Sequence, residues 1–143
     1  MSGVSGCVEA VWPVLLDDGD VRIPLSARID YRADRAFEVT MTFFSGRRPI
    51  TTWVFARDLL LDGLTSFAGE GDVLVGPVWA RTDRGDRAER RICIGLSSPD
   101  GECRLTVAET DVALWCRRMV DLVPRGRESH HCDMDEELRQ FLG

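Results

Sequence analysis

The feature of this chain that most restricts its fold is a two-residue periodicity that recurs in short runs separated by turn residues. In the run from Phe37 to Phe43, apolar side chains alternate with Glu38, Thr40 and Thr42. Successive side chains of a strand point to opposite faces, so this alternation predicts one buried face and one exposed face. Gly, Pro, Asp and Ser separate the runs, which favours antiparallel strands joined by tight turns.

Strand patterns occupy most of the chain up to residue 107. They cover residues 7–16, 21–31, 37–43, 50–55, 72–79, 91–97 and 102–107. Gly69-Glu70-Gly71-Asp72 precedes a strand instead of joining a strand to a helix, so it is interpreted as a turn and not as a phosphate-binding loop. Pro99-Asp100-Gly101 predicts a tight hairpin turn before the last strand.

Helical patterns are fewer and come later. A short helix is predicted over residues 56–62, with Gly63 as its C′ residue. A longer helix over 110–122 begins at Thr110 as N-cap, and its apolar stripe is Val112, Trp115, Cys116, Met119 and Val120. A third helix begins at Asp133, and its apolar side carries Met134, Leu138, Phe141 and Leu142. This order predicts an α+β fold, with antiparallel β-sheets covered by C-terminal helices, in a single domain over residues 1–143.

Charge and hydropathy exclude several functions. The net charge is −6 at pH 7 and the isoelectric point is near 4.9. Nucleic-acid-binding surfaces need a positive footprint, so this charge counts against them. No run approaches the ~20 apolar residues of a membrane span, and the first residues lack the basic and apolar regions of a signal peptide. We therefore expect a cytoplasmic protein.

The five cysteines stand at irregular spacings without a CxxC pair, which counts against zinc and thioredoxin-like sites. A tight turn at residues 98–101 places Cys103 opposite Leu96 and points Cys93 to the other face of the hairpin. These two thiols then point to opposite faces of the hairpin and cannot form a disulfide. Reduced cysteines, most of them buried, are the expected state.

The sequence offers no arrangement typical of catalysis. The chain has two histidines, His130 and His131, and the serines of Gly95-Leu96-Ser97-Ser98-Pro99 lack the second glycine of a nucleophile elbow. His130-His131-Cys132-Asp133 has no second ligand cluster to complete a tetrahedral metal site. We predict no catalytic residue, no metal and no cofactor.

Several blocks in sequence resemble the SsgA-like proteins of sporulation-specific cell division in filamentous actinomycetes. The principal block runs from Trp53 to Leu60 and is followed by Gly63-Leu64 and Gly69-Glu70-Gly71-Asp72-Val73. The other blocks are Phe37 to Gly46, Ile92 to Glu102, and Leu122-Val123-Pro124 with Gly126, Glu128, His131, Asp133, Asp135 and Leu138. The resemblance covers residues 7–142.

The resemblance implies a non-catalytic cytoplasmic adaptor at the division septum, which helps to position the FtsZ ring and the septal wall machinery. FtsZ or paralogous SsgA-like proteins are its implied partners. It also implies a homo-oligomer, with a trimer favoured, and a fold similar to the whirly single-stranded nucleic-acid-binding proteins. Single-stranded nucleic-acid binding is therefore the alternative function, although a shared fold does not carry function with it.

A partner-binding surface should combine exposed apolar and Arg side chains that the core does not need. Five residues meet this description by their positions in the predicted helices: Arg57, Leu114, Arg117, Phe141 and Leu142. By pattern, Arg57, Leu114 and Arg117 are expected to face outward, and Phe141 and Leu142 belong to the apolar side of the last helix.

Overall fold

The computed structural model describes residues 6–18, 21–81 and 87–131. Within these residues the chain forms one eight-stranded sheet and two α-helices. The strands are β1 (Cys7–Asp18), β2 (Val21–Arg32), β3 (Glu38–Ser45), β4 (Arg48–Ala56), β5 (Ala68–Glu70), β6 (Val73–Arg81), β7 (Ala88–Ser98) and β8 (Gly101–Ala108). The helices are α1 (Arg57–Asp62) and α2 (Glu109–Leu122), and short 3-10 turns occupy Ala33–Arg35 and Glu128–His130.

The sheet is antiparallel throughout, and its spatial order is β4-β3-β2-β1-β8-β7-β6-β5. We expected more than one sheet, but the described strands form a single one. The reason is the length of β1, which pairs with β2 along all of its residues. The end of β1 also pairs with β8, from Val14↔Val107 to Asp17↔Arg104.

The predicted apolar stripe of α2 fixes this helix on the sheet. Val112, Trp115, Cys116 and Met119 are all buried, which confirms the helical periodicity, whereas Val120 is half-buried. The Trp115 ring meets Trp12 of β1 edge-to-face, with 5.8 Å between the ring centroids. Such aromatic pairs contribute ~0.5–1.5 kcal/mol beyond their buried area. The fold is therefore α+β, with a C-terminal helix covering one face of the sheet.

The sheet curls until its two terminal strands approach each other. Residues of β4, at one end of the strand order, line the same cleft as Glu70 of β5 and Val73 of β6, at the other end. Sheets twist because each strand has a right-handed twist, and a twisted sheet of this size tends to curl.

Three local predictions need correction. Thr110 is not the N-cap of α2, because the β8 ladder continues to Ala108 and the helix begins at Glu109. Gly63 ends α1 as expected but with a φ of −66°, so it does not take the left-handed form. A Cβ at Gly63 would lie 2.4 Å from Cγ1 of Val75, which means that close packing requires the glycine. The three-residue strand β5 was not predicted, because only its turn was recognised.

The hairpin prediction is confirmed. Cys103 pairs with Leu96, while Cys93 pairs with Thr106 and so points to the other face. The third predicted helix, from Asp133, lies outside the described residues. The likeness to the whirly fold stays a prediction.

Candidate partner-binding site

The outer face of α2 presents two of the predicted partner-binding residues side by side. Leu114 is 64% exposed, and Arg117, one helical turn further on, is also exposed. Residues three apart in a helix are neighbours on its surface. Neither side chain contributes to the buried stripe that holds α2 on the sheet. We call this pair the α2 patch.

Arg57, the third predicted residue, does not face outward, and that prediction is wrong. Its side chain is 1% exposed, at the start of α1. Nε and Nη2 donate to the Glu128 carboxylate at 3.2 and 2.9 Å, and Nη1 donates to the Val123 carbonyl at 2.7 Å. Nη1 also donates to the Tyr31 hydroxyl at 3.2 Å, which in turn donates to the Ala36 carbonyl. A buried guanidinium needs such partners, and these partners hold it in the interior.

Glu128 remains charged within this cluster. Burial favours its neutral form. The backbone N–H of Glu128 itself, the Arg57 side chain and the Gly126 N–H favour the carboxylate and lower its pKa. The result is a buried ion pair with most of its hydrogen-bonding capacity used.

A second set of ion pairs joins the same two regions at the surface. Arg125 donates to Asp58 at 3.2 Å and to Asp62 at 2.6 Å, both on α1. Exposed pairs of this kind stabilise weakly. Together with the buried Arg57–Glu128 pair, they attach the segment after α2 to α1.

The sequence pattern failed at Arg57 because its partner is distant in the chain. Glu128 lies 71 residues away, and no local period reveals such a contact. The one available signal was that both residues fall in blocks that resemble the same family. Phe141 and Leu142, the last two predicted residues, lie outside the described residues.

The thiols of the described residues are poorly suited to nucleophilic chemistry. Burial raises the pKa of Cys116 to about 12, partly opposed by the charge of Arg57. Burial also raises the pKa of Cys93, by more than the charge of Arg104 lowers it. Cys7 is exposed, but slight burial and then the charge of Glu9 raise its pKa as well. A thiolate is the reactive form of cysteine, and each of these shifts disfavours it.

Other chemistry is not assembled in this part of the chain either. Over residues 6–18, 21–81 and 87–131, no three His, Cys, Asp or Glu side chains are grouped as metal ligands. His130 and His131 are exposed. Within the same residues, no helix has the length and apolar character needed to cross a membrane.

Comparison with known proteins places this fold in a family. A family model described as "Streptomyces sporulation and cell division protein, SsgA" matches residues 25–128. The chain belongs to the SsgA family. The matched range of this chain includes Arg57, Glu128 and the whole of α2.

Relatives in the SsgA family match the chain over most of its length. The sporulation-specific cell division protein SsgB of Kineococcus radiotolerans is 43% identical over 120 residues, which are 84% of this chain and 70% of that protein. SsgB of Thermobifida fusca is 36% identical and covers 99% of this chain and 97% of its own length. These relatives are named as cell division proteins and not as enzymes.

Solved structures of the SsgA family share the fold. The crystal structure of an SsgA-like sporulation-specific cell division protein from Thermobifida fusca superposes with a TM-score of 0.81 at 31% identity, covering 99% of both chains. A second solved structure has the description "Mutations in SsgB correlate to longitudinal cell division during sporulation of Streptomyces coelicolor". It superposes with a TM-score of 0.79 at 31% identity. It covers 92% of this chain and 99% of that one.

Proposed function

We propose that this protein is a non-catalytic adaptor of sporulation-specific cell division, which acts at the septum by recruiting the FtsZ ring and the septal wall machinery. The observation that carries the proposal is the end-to-end likeness, in sequence and fold, to a sporulation-specific cell division protein. FtsZ and paralogous SsgA-like proteins are the proposed partners. The working form is a homo-oligomer, with a trimer favoured.

The α2 patch supports an adaptor role because the fold does not need it. Leu114 is a large apolar side chain in water, beside a guanidinium that makes no ion pair with any described residue. Exposed apolar and Arg side chains at one place are typical of protein-binding surfaces. Single-stranded nucleic-acid binding is not favoured, since the net charge is −6 and the relatives are named for cell division.

The test is complementation of a null strain with surface variants. Leu114→Asp and Arg117→Glu should keep the free energy of unfolding within ~0.5 kcal/mol of the native value, because both positions are exposed. At least one of them should reduce the number of FtsZ rings and septa per sporulating filament. Arg47→Glu, the same charge reversal in the exposed β3–β4 turn, is the matched control and should septate normally.

The thermal melt of each variant has to be recorded beside the septum counts. If both α2 variants fold and septate like the control, the α2 patch does not bind the division machinery. If the native protein also fails to restore septa in the null strain, the adaptor function itself is wrong.

A further inference from the structure

The edge of the sheet at β4 is long and open to pairing. β4 spans Arg48–Ala56 and pairs with β3 alone. In an antiparallel ladder, alternate residues direct their N–H and C=O groups away from the neighbouring strand. For residues 50–55, no hydrogen bond to another described residue uses those outward groups. The strand therefore ends the sheet with unused backbone donors and acceptors.

Protection of this edge is confined to one end. Arg48 and Pro49 begin the strand, and charge and proline both discourage pairing. From Ile50 onward neither occurs, and Ile50 and Val54 are exposed. By contrast, β5 at the opposite end of the sheet has three residues, which is too short to template another strand.

A cleft runs beside the unprotected part of the edge. Its volume is about 280 Å³, near the lower limit of the ~300–1,000 Å³ typical of small-molecule sites. One wall is formed by β4 and α1 and the other by the β5–β6 region, through Trp53, Val54, Phe55, Ala56, Leu59, Glu70, Asp72 and Val73. A space of this size and shape suits side chains of an extended peptide better than a whole cofactor.

The charge of the cleft is uniformly negative. Glu70 and Asp72 are exposed, and neither forms an ion pair with a described residue. No Arg lines the cleft. Two unpaired carboxylates beside an aromatic wall favour a ligand that has a cationic and an apolar side chain.

We propose that the free edge of β4 and the adjoining cleft bind an extended segment of a partner protein as an additional strand. The segment carries an Arg or Lys for Glu70 and Asp72 and an apolar side chain for the wall at Trp53. Main-chain hydrogen bonds provide affinity in this recognition mode, and pockets for alternate side chains provide specificity. The surface shares no residue with the α2 patch, so the inference goes beyond the proposed function and can fail independently of it.

The probes are fluorescein-labelled hexapeptides in which Val alternates with Thr. One peptide has Arg at a central Val position, so that the Arg and the remaining Val side chains lie on the same face, and its matched control has Glu there. At low salt, the full-length protein should bind the Arg peptide with a roughly tenfold lower Kd than the Glu peptide, because attraction to two carboxylates replaces repulsion. Two further versions of the Arg peptide are N-methylated. One carries methyl groups on the odd-numbered amides and the other on the even-numbered amides. One of the two should lose binding, since one set of amides faces β4.

Protein variants and NMR locate the binding. The double variant Glu70→Lys, Asp72→Lys should reverse the preference and bind the Glu peptide more tightly. Glu102→Lys, an exposed charge reversal in the β7–β8 hairpin, should leave the preference unchanged. Backbone amide shifts should concentrate in residues 50–55 and in the opposite wall of the cleft, residues 70–73.

Three results would overturn the proposal. The first is equal affinity for the Arg and Glu peptides, and the second is amide shifts concentrated outside both β4 and the cleft. The third is self-association of the protein that prevents peptide binding and that the Ile50→Lys variant abolishes. A second copy of this chain would then occupy the edge.

Discussion

The Arg57 guanidinium connects three parts of the chain that are far apart in sequence. Its hydrogen bonds reach Tyr31 on β2, Val123 at the end of α2 and Glu128 beyond it. Removing one member of a buried ion pair leaves the other charge in a medium that solvates it poorly. The Arg57 side chain is therefore the buried connection between α1 and the segment after α2.

Arg57→Gln should lower the free energy of unfolding by ~3–5 kcal/mol, because it leaves the Glu128 carboxylate buried without a cation. Urea denaturation near neutral pH measures this loss. The matched control is Arg117→Gln on the surface of α2, which should change the value by less than ~0.5 kcal/mol.

The pH dependence of that loss identifies its cause. The pKa of Glu128 is lower in the folded state than its ordinary value of 4.5. The stabilisation from its charge is complete above 4.5 and is lost as the pH falls through the folded pKa. The difference between the native protein and Arg57→Gln should therefore narrow under acidic conditions. A difference that stays constant from pH 7 to pH 3 would mean that lost packing, and not the ion pair, destabilises the variant.

Among the elements, α2 shows which structural features a sequence can reveal. Its buried stripe was predicted correctly because helical periodicity is local and each turn repeats it. Its first residue was predicted wrongly because the start depends on how far the β8 ladder extends. The same distinction separates Leu114, exposed as its pattern indicates, from Arg57, whose burial depends on a residue 71 positions away.

The packing of α2 predicts a large difference in thiol reactivity. The Cys116 thiol, with a pKa of about 12, should react with iodoacetamide at pH 8 at least ~100-fold more slowly than exposed Cys7. Mass spectrometry of timed samples gives both rates. Val112→Ala leaves a cavity beside the helix and should speed modification of Cys116 without affecting Cys7. Equal rates for the two thiols in the native protein would contradict the buried position of Cys116.

At the scale of the whole molecule, seven of the eight described strands could be predicted from the sequence, whereas β5 and the curl of the sheet could not. Alternation identified residues 37–43 as a strand, and Val39, Met41 and Phe43 are indeed buried. Phe37, however, lies just before β3 and is exposed, and Thr42 on the opposite face is also buried. The approach of β4 to the β5–β6 turn depends on twist accumulated across all the strands, which no single run encodes. A partner site is harder still to predict, because its energetics depend on a second molecule.

The proposed oligomer is the property of the whole molecule that can be measured most directly. Several large apolar side chains remain exposed on one chain, among them Val11 at 67% and Trp79 at 70%. Scattered single residues are common on monomers, but an oligomer would remove some of them from water. Sedimentation equilibrium at tens of micromolar should give three times the 16.0 kDa of one chain.

The Leu114→Asp variant tests whether oligomerisation depends on the α2 patch. Leu114 stands on α2 among exposed polar neighbours, namely Arg117, Arg118 and Asp121. A stable interface usually buries ~800 Å² on each partner, which is far more than one leucine provides. We therefore expect Leu114→Asp to keep the mass of the native protein while it reduces septal recruitment. A 16.0 kDa species alone for the native protein would contradict the oligomer, and dissociation of the variant alone would assign Leu114 to contacts between copies of the chain.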